Sequence, residues 1–289
     1  MTATSHEPLA FPPPNACGQC QVPTGTLPEL TMAFQPIVNV QTRKVFAYEA
    51  LVRGAQGQGA DWVFEQITPA QRYAFDQACR TVAIHTAARL NIPCRLSINI
   101  MPGAVYEPRT CIQATLRAAR ETGFPLERLM FEITEHEDVP NPQHVRHIID
   151  TYRAYGFTTA LDDYGTGYAT AGLLMALQPD MVKIDRSLVQ DVHRDAGKAL
   201  RIRDMVQFAE RTNMLVIAEG IERVEEARTL ARLGITLMQG YYVARPGFET
   251  LPAVAAEVFD AFHGIPLSPA HYIQTVAGLA DSDALRHAR

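Results

Sequence analysis

Short apolar runs recur along the chain at residues 32–40, 44–53, 94–100, 128–134, 157–163, 181–185, 214–219 and 236–242. Runs of this length, bounded by turn residues, predict eight β-strands. Between most of them lie longer stretches in which apolar residues repeat every three or four positions, at 69–90, 110–123, 143–156, 197–213 and 223–234. That spacing predicts amphipathic helices, several of which stop at a glycine, where a helix end favours one. Strands alternating with helices predict a parallel sheet, and eight of them predict an α/β fold closed as a modified (β/α)8 TIM-like barrel. The modification lies at the start. Only the sequence QTRK joins the first two strands, too short for a crossover helix, so an antiparallel first hairpin strand is expected.

Periodicity is missing from residues 1–28, where Pro12, Pro13 and Pro14 cluster, and this segment reads as a flexible extension. Residues 29–264 then carry the barrel and a closing helix, and 265–289 read as a helical tail. A chain of 289 residues with 47% hydrophobic content can bury one large core. Its net charge of −5 provides no basic footprint for a nucleic-acid backbone, so duplex nucleic acid is not an expected partner. No apolar run reaches the roughly 18 residues of a membrane span, and the amino terminus lacks the basic start and apolar middle of a secretion signal. A cytoplasmic protein without membrane insertion is the expectation. Cys79, Cys94 and Cys111 fall within the periodic segments and read as reduced core thiols. Cys17 and Cys20 form a C-x-x-C in the Pro-rich extension; no further ligands are near in sequence and no strand precedes it, so it reads as part of a tail.

Chemistry in a barrel of this kind sits at the carboxyl ends of the strands. The late strand positions here are Glu49, Asn99, Glu132, Asp162, Asp163, Lys183, Glu219 and Gln239, each polar in an otherwise apolar run. One or two such positions would be wet strand ends. Five carboxylates with a lysine and two amides, drawn from seven strands, need a counter-ion, because crowded buried carboxylates are too costly alone. Oxygen donors without Cys or His suit a hard cation such as Mg²⁺ or Mn²⁺. Six candidate ligands exceed what one Mg²⁺ takes, and two cations about 3.5–4 Å apart are the usual arrangement for activating water against a phosphodiester. Lys183 beside them could orient that water or stabilise phosphoryl charge; a structural pairing with Asp185 is the alternative. His144 and His147, three apart on a peripheral helix, read as a solvated face. The glycines of DYGTG match neither a P-loop nor a dinucleotide fingerprint.

These residues sit in motifs that closely resemble the EAL-domain cyclic di-GMP phosphodiesterases: FQPIV (34–38), YEALVRG (48–54), SINI (97–100), FEITE (131–135), LDDYGTGY (161–168), VKIDRSLV (182–189), AEGIE (218–222) and QGYY (239–242). The resemblance covers roughly residues 30–260. It implies hydrolysis of one phosphodiester bond of cyclic di-GMP to linear 5′-pGpG with two Mg²⁺ or Mn²⁺ ions, Ca²⁺ being inhibitory. By motif match, Glu49, Asn99, Glu132, Asp162, Asp163 and Glu219 would hold the ions, and Lys183, Glu219 and Gln239 would act around the attacking water. Gln35, Leu51, Arg53, Asp185 and Glu222 would lie on the substrate side. Glu135 would anchor the loop bearing Tyr164, Gly165, Thr166 and Gly167, which couples homodimerisation to metal binding in that family. Tyr164 stands where Phe is commoner, and Ala169-Thr170 where two serines are usual, so the coupling rather than the chemistry is in question.

A second reading is a weakly active or inactive domain of this family that binds cyclic di-GMP as a receptor and regulates a partner protein; the full metal set favours turnover. A third, an enolate-forming barrel enzyme, would not require Arg53 near Glu49 or the DDYGTGY loop.

Overall fold

A computed structural model describes residues 26–133, 141–166 and 170–266. Eight strands close into a barrel: β1 (Leu30–Asn39), β2 (Lys44–Gly54), β3 (Arg95–Ile100), β4 (Leu129–Ile133), β5 (Thr158–Tyr164), β6 (Met181–Ile184), β7 (Leu215–Ala218) and β8 (Leu237–Met238). Strands β2 to β8 are parallel neighbours in order, and β1 runs antiparallel between β8 and β2, closing the ring. The tight link between β1 and β2 is tied by Asn39, whose side chain accepts from the backbone N–H of Gln41 and Thr42, both at 2.9 Å. This is the expected antiparallel first hairpin.

The helices are α1 (Ala60–Glu65), α2 (Arg72–Arg89), α3 (Pro108–Cys111), α4 (Gln113–Thr122), α5 (Pro142–Ala154), α6 (Ala171–Leu177), α7 (Arg186–Val189), α8 (Ala196–Thr212), α9 (Val224–Arg232) and α10 (Ala256–Asp260). The periodic segments correspond to α2, α4, α5, α8 and α9. Four short helices, α1, α3, α6 and α7, escaped the pattern because four to seven residues complete too few turns to show a period. The expected closing helix shrinks to α10. An extra two-residue strand, β9 (Gly247–Phe248), pairs antiparallel with β1, Ala33 lying opposite Phe248. The run at 236–242 is strand only at β8, since the chain turns at Gly240.

The core has two parts. A large one lies between strands and helices, with Cys111 inside it and the free thiols of Cys79 and Cys94 packed against it. A smaller one fills the barrel interior with Ile37, Phe46, Ala47, Met130, Ala160, Met181, Ile217 and Leu237. His144 departs from the solvated face expected for it: its ring lies 2.6 Å from the carbonyl oxygen of Val105. Among the described residues no helix is long and apolar enough to cross a membrane. Residues 1–25 with Cys17 and Cys20, Glu135, Gly167 and residues 267–289 lie outside the described residues.

Candidate metal centre

Side chains alternate along a strand, so the residue two positions beyond an inward one also faces inward. Two residues beyond Ala47, Ser97, Met130, Ala160, Met181, Ile217 and Leu237 come Glu49, Asn99, Glu132, Asp162, Lys183, Glu219 and Gln239. On antiparallel β1 the same step runs backwards, from Ile37 to Gln35, which pairs with Glu49. Every strand thus delivers one polar side chain to a layer directly above the apolar plug. Gln35 was legible only through motif resemblance, because strand direction decides which end of β1 counts as late.

Lys183 occupies the middle of this layer at 1% exposure. Its ammonium lies 2.6 Å from Glu132, 3.4 Å from Asp162, 3.8 Å from Glu49, and in contact with Glu219. The alternative pairing with Asp185 is not formed; Asp185 instead caps α7, accepting from the N–H of Ser187 at 2.8 Å. Glu49 is fixed by two amides, from Asn99 at 2.8 Å and Gln239 at 2.7 Å, and Ser97 donates to Glu132. Burial opposes the charge of Lys183, yet Asp162, Glu132, Glu219 and Glu49 together hold it protonated well above the usual lysine value. Burial also pushes Glu49 up, but Lys183 and the two amides outweigh it and leave its carboxyl below the ordinary range. Glu132 is driven well above that range by burial and by Glu49, and Glu219 by burial, with Asp162 and Glu49 adding repulsion that Lys183 does not offset.

When ionised, four carboxylates against one ammonium leave this buried layer at a net charge of −3. The buried Oε1 of Gln239 has no hydrogen-bond partner, and Oε1 of Glu219 faces the ammonium without hydrogen-bond alignment. Excess negative charge, unfilled acceptors and an all-oxygen donor set fit hard divalent cations.

Asp163 reaches the site differently. Strand β5 does not end at Asp162: its pairing with β6 breaks after Leu161 and resumes with Tyr164 opposite Ile184. In that bulge Asp163 takes φ +57°, with its N–H on the Asp162 carboxylate at 2.9 Å. Alternation therefore lapses at the second aspartate. Asp163 borders, with Asn99, Leu51 and Met101, an apolar cavity of about 280 Å³ between β2, β3 and the helices α1 and α2. Thr166 closes the turn by donating to Asp163 O at 3.1 Å, and Gly165, at φ +119°, packs so tightly on Leu188 that a Cβ would lie 2.3 Å from it.

A second cavity of about 280 Å³, lined mainly by polar groups, opens on the other side of the layer. Gln35, Glu49, Leu51, Glu219, Glu222 and Gln239 border it, as do Arg186 and Tyr241, which the sequence analysis left without a role. Arg186 pairs with Glu222 at 2.7 Å. Arg53 is half-buried, within electrostatic reach of Glu49 and Tyr241. Asp185 lies beside this cavity's wall rather than on it. Elsewhere, Asp191, His193 and Glu226 bring ligand atoms within 4.8 Å of one another. Glu226 serves there as a brace, accepting the backbone N–H of Asp191, Glu222 and Arg223 at 2.9–3.1 Å.

The arrangement has counterparts among known proteins. A standalone EAL protein from Vibrio cholerae O395, solved with c-di-GMP bound, is 43% identical and superposes with a TM-score of 0.78 over 81% of this chain and 99% of that one. Klebsiella pneumoniae BlrP1, solved as a manganese/cyclic-diGMP complex, is 30% identical with a TM-score of 0.73, over 78% of this chain and 57% of that one. The probable cyclic di-GMP phosphodiesterase PdeI of Escherichia coli is 31% identical over 229 residues, which are 75% of this chain and 29% of PdeI. The chain spans about a third, 32% and 33%, of two further curated relatives, from Synechocystis and Azorhizobium caulinodans. The EAL domain family model matches residues 24–246, from before the first barrel strand to the turn beyond the last, and with the barrel and its polar layer in place the chain belongs to the EAL domain family.

Proposed function

We propose that this chain hydrolyses one phosphodiester bond of cyclic di-GMP, giving linear 5′-pGpG, with two divalent cations, Mg²⁺ or Mn²⁺, held by Glu49, Asn99, Glu132, Asp162, Asp163 and Glu219. The observation that carries this reading is the layer of inward polar side chains, one from each of the eight strands, with four carboxylates gathered on a single lysine. Bound cations in such a site lower the pKa of water and withdraw charge from the phosphate. The ammonium of Lys183, central among the carboxylates that would hold the cations, is placed to orient the attacking water and to meet phosphoryl charge once those carboxylates turn to the cations. Asn99 and Gln239 clamp both oxygens of Glu49 and so hold it at one orientation. Gln35 braces Gln239 and itself donates to Ala244 O at 3.1 Å, which fixes the far wall of the polar cavity. As water adds to phosphorus the P–O3′ bond breaks, and the carboxylate of Glu219, beside Lys183 on the border of the polar cavity, is placed to take the proton of the attacking water, which ends on the departing O3′. Arg53, Leu51 and Glu222 face substrate, and the protein acts as a homodimer through the loop at 164–170.

Purified protein with Mn²⁺ or Mg²⁺ should convert cyclic di-GMP to pGpG, followed by chromatography, with Ca²⁺ inhibiting and Glu49→Ala inactive. Intact substrate after prolonged incubation, with tight binding retained, would replace this reading by that of a receptor regulating a partner protein.

A further inference from the structure

The apolar layer beneath the metal ligands is interrupted on β3. Ala47, Met130, Ala160, Met181, Ile217 and Leu237 fill that layer, but the matching residue of β3, two before Asn99, is Ser97. Alanine, used at this level on β2 and β5, would fill the space without needing a hydrogen-bond acceptor. Ser97 lies opposite Met130 of β4, and Asn99 opposite Glu132, so the hydroxyl reaches one step up and across to the ligand layer. There it donates to Oε1 of Glu132, whose other oxygen, Oε2, faces the ammonium of Lys183 at 2.6 Å. Ser97 and Glu132 are both at 0% exposure. The two oxygens of Glu132 are therefore unequal as metal donors. At Oε2 a divalent cation can replace the positive charge that Lys183 supplies. At Oε1 the donor is a neutral hydroxyl with no solvent to turn to, so it stays.

Resting on the two-cation reading, we infer that Ser97 is a positioning residue that sets the metal preference of the site: by holding Oε1 it leaves Glu132 a single oxygen to give. Ca²⁺ takes about six to eight oxygens and often both oxygens of one carboxylate, whereas Mg²⁺ demands a near-octahedral set of about six, a preference Mn²⁺ shares. A glutamate restricted to one oxygen suits the smaller set and withholds a ligand that Ca²⁺ would use. The same hydrogen bond fixes the orientation of the remaining oxygen, as the outer partners of metal ligands do.

The test is calorimetric titration of the full chain with Mn²⁺ and, separately, with Ca²⁺, in the absence of nucleotide. Ser97→Ala should weaken Mn²⁺ about tenfold or more, the range for losing an outer partner of a ligand, and leave Ca²⁺ as tight or tighter. The ratio of the Ca²⁺ Kd to the Mn²⁺ Kd should thus fall at least about tenfold. Ser97→Thr, which keeps the hydroxyl, should hold that ratio within about threefold of wild type. Because the ratio compares two cations on one protein, a general loss of stability cancels from it. An unchanged ratio in Ser97→Ala, whether both cations weaken alike or neither does, overturns the inference and leaves the proposed function standing, as does a Ser97→Thr ratio equal to that of Ser97→Ala. A wild-type protein that binds neither cation overturns the metal centre as well.

Discussion

Among the described residues, two clusters of buried charge differ in balance. On α2, Arg80 at 0% exposure pairs with Asp76 at 2%. Each polar side-chain atom of the pair has a partner: Arg80 also donates to the Tyr152 hydroxyl at 3.1 Å, and the second oxygen of Asp76 accepts the N–H of Met101 at 3.0 Å. Around Lys183, four carboxylates share one ammonium, and Gln239 retains an unfilled acceptor. A neutral, saturated pair holds structure together; an oversubscribed one is arranged for something that arrives later. The two meet through the β3 loop, since Asp76 grips the backbone two residues beyond Asn99.

Breaking the unbalanced cluster should produce the largest effect, and on activity alone. Glu132→Gln should lower kcat/KM by well over the roughly 10–100-fold typical of losing a second-sphere partner, yet leave the melting temperature without added cation unchanged or higher, because it removes like-charge crowding. The balanced pair should respond in the opposite way. Arg80→Met strands the Asp76 charge and should cost about 3–5 kcal/mol in urea denaturation, with Mn²⁺ still raising the melting temperature of whatever remains folded. Next, Mn²⁺ at a hundred times its Kd should stabilise wild type by about 2.7 kcal/mol, and the gain should vanish in Glu132→Gln. The smallest effect concerns protons. Burial holds Glu132 and Glu219 well above the ordinary glutamate value, and a cation takes only the deprotonated form. Cation binding should therefore release protons, and affinity should climb as pH rises from the ordinary value of 4.5 through the raised ones; calorimetry in buffers of different ionisation enthalpy measures both.

Much of this was legible beforehand. The short apolar runs marked all eight barrel strands, the short QTRK connection marked the hairpin, and polar residues at strand ends marked Glu49, Asn99, Glu132, Asp162, Lys183, Glu219 and Gln239. Other features were not. Asp163 was expected as a late position of its strand, but not the bulge with φ +57° in which it lies; a short apolar run carries no local mark of a bulge. Ser97 looked like an ordinary strand residue until β3 lay beside β4 and its hydroxyl met Glu132. Tyr241 and Arg186 were given no role, because it takes the packing of Gly240 on Ile221 to bring them to the wall of the polar cavity.

The sequence by itself determined which residues face into the barrel and which types stand at its carboxyl end, because alternation follows from backbone stereochemistry within a few residues. Tertiary structure decided who meets whom. Lys183 takes Glu132, Asp162, Glu49 and Glu219 rather than its neighbour Asp185, and Gln35 joins Glu49, because barrel closure and strand register bring together residues from separate strands. Those contacts depend on the closed ring, and no short stretch of sequence contains them.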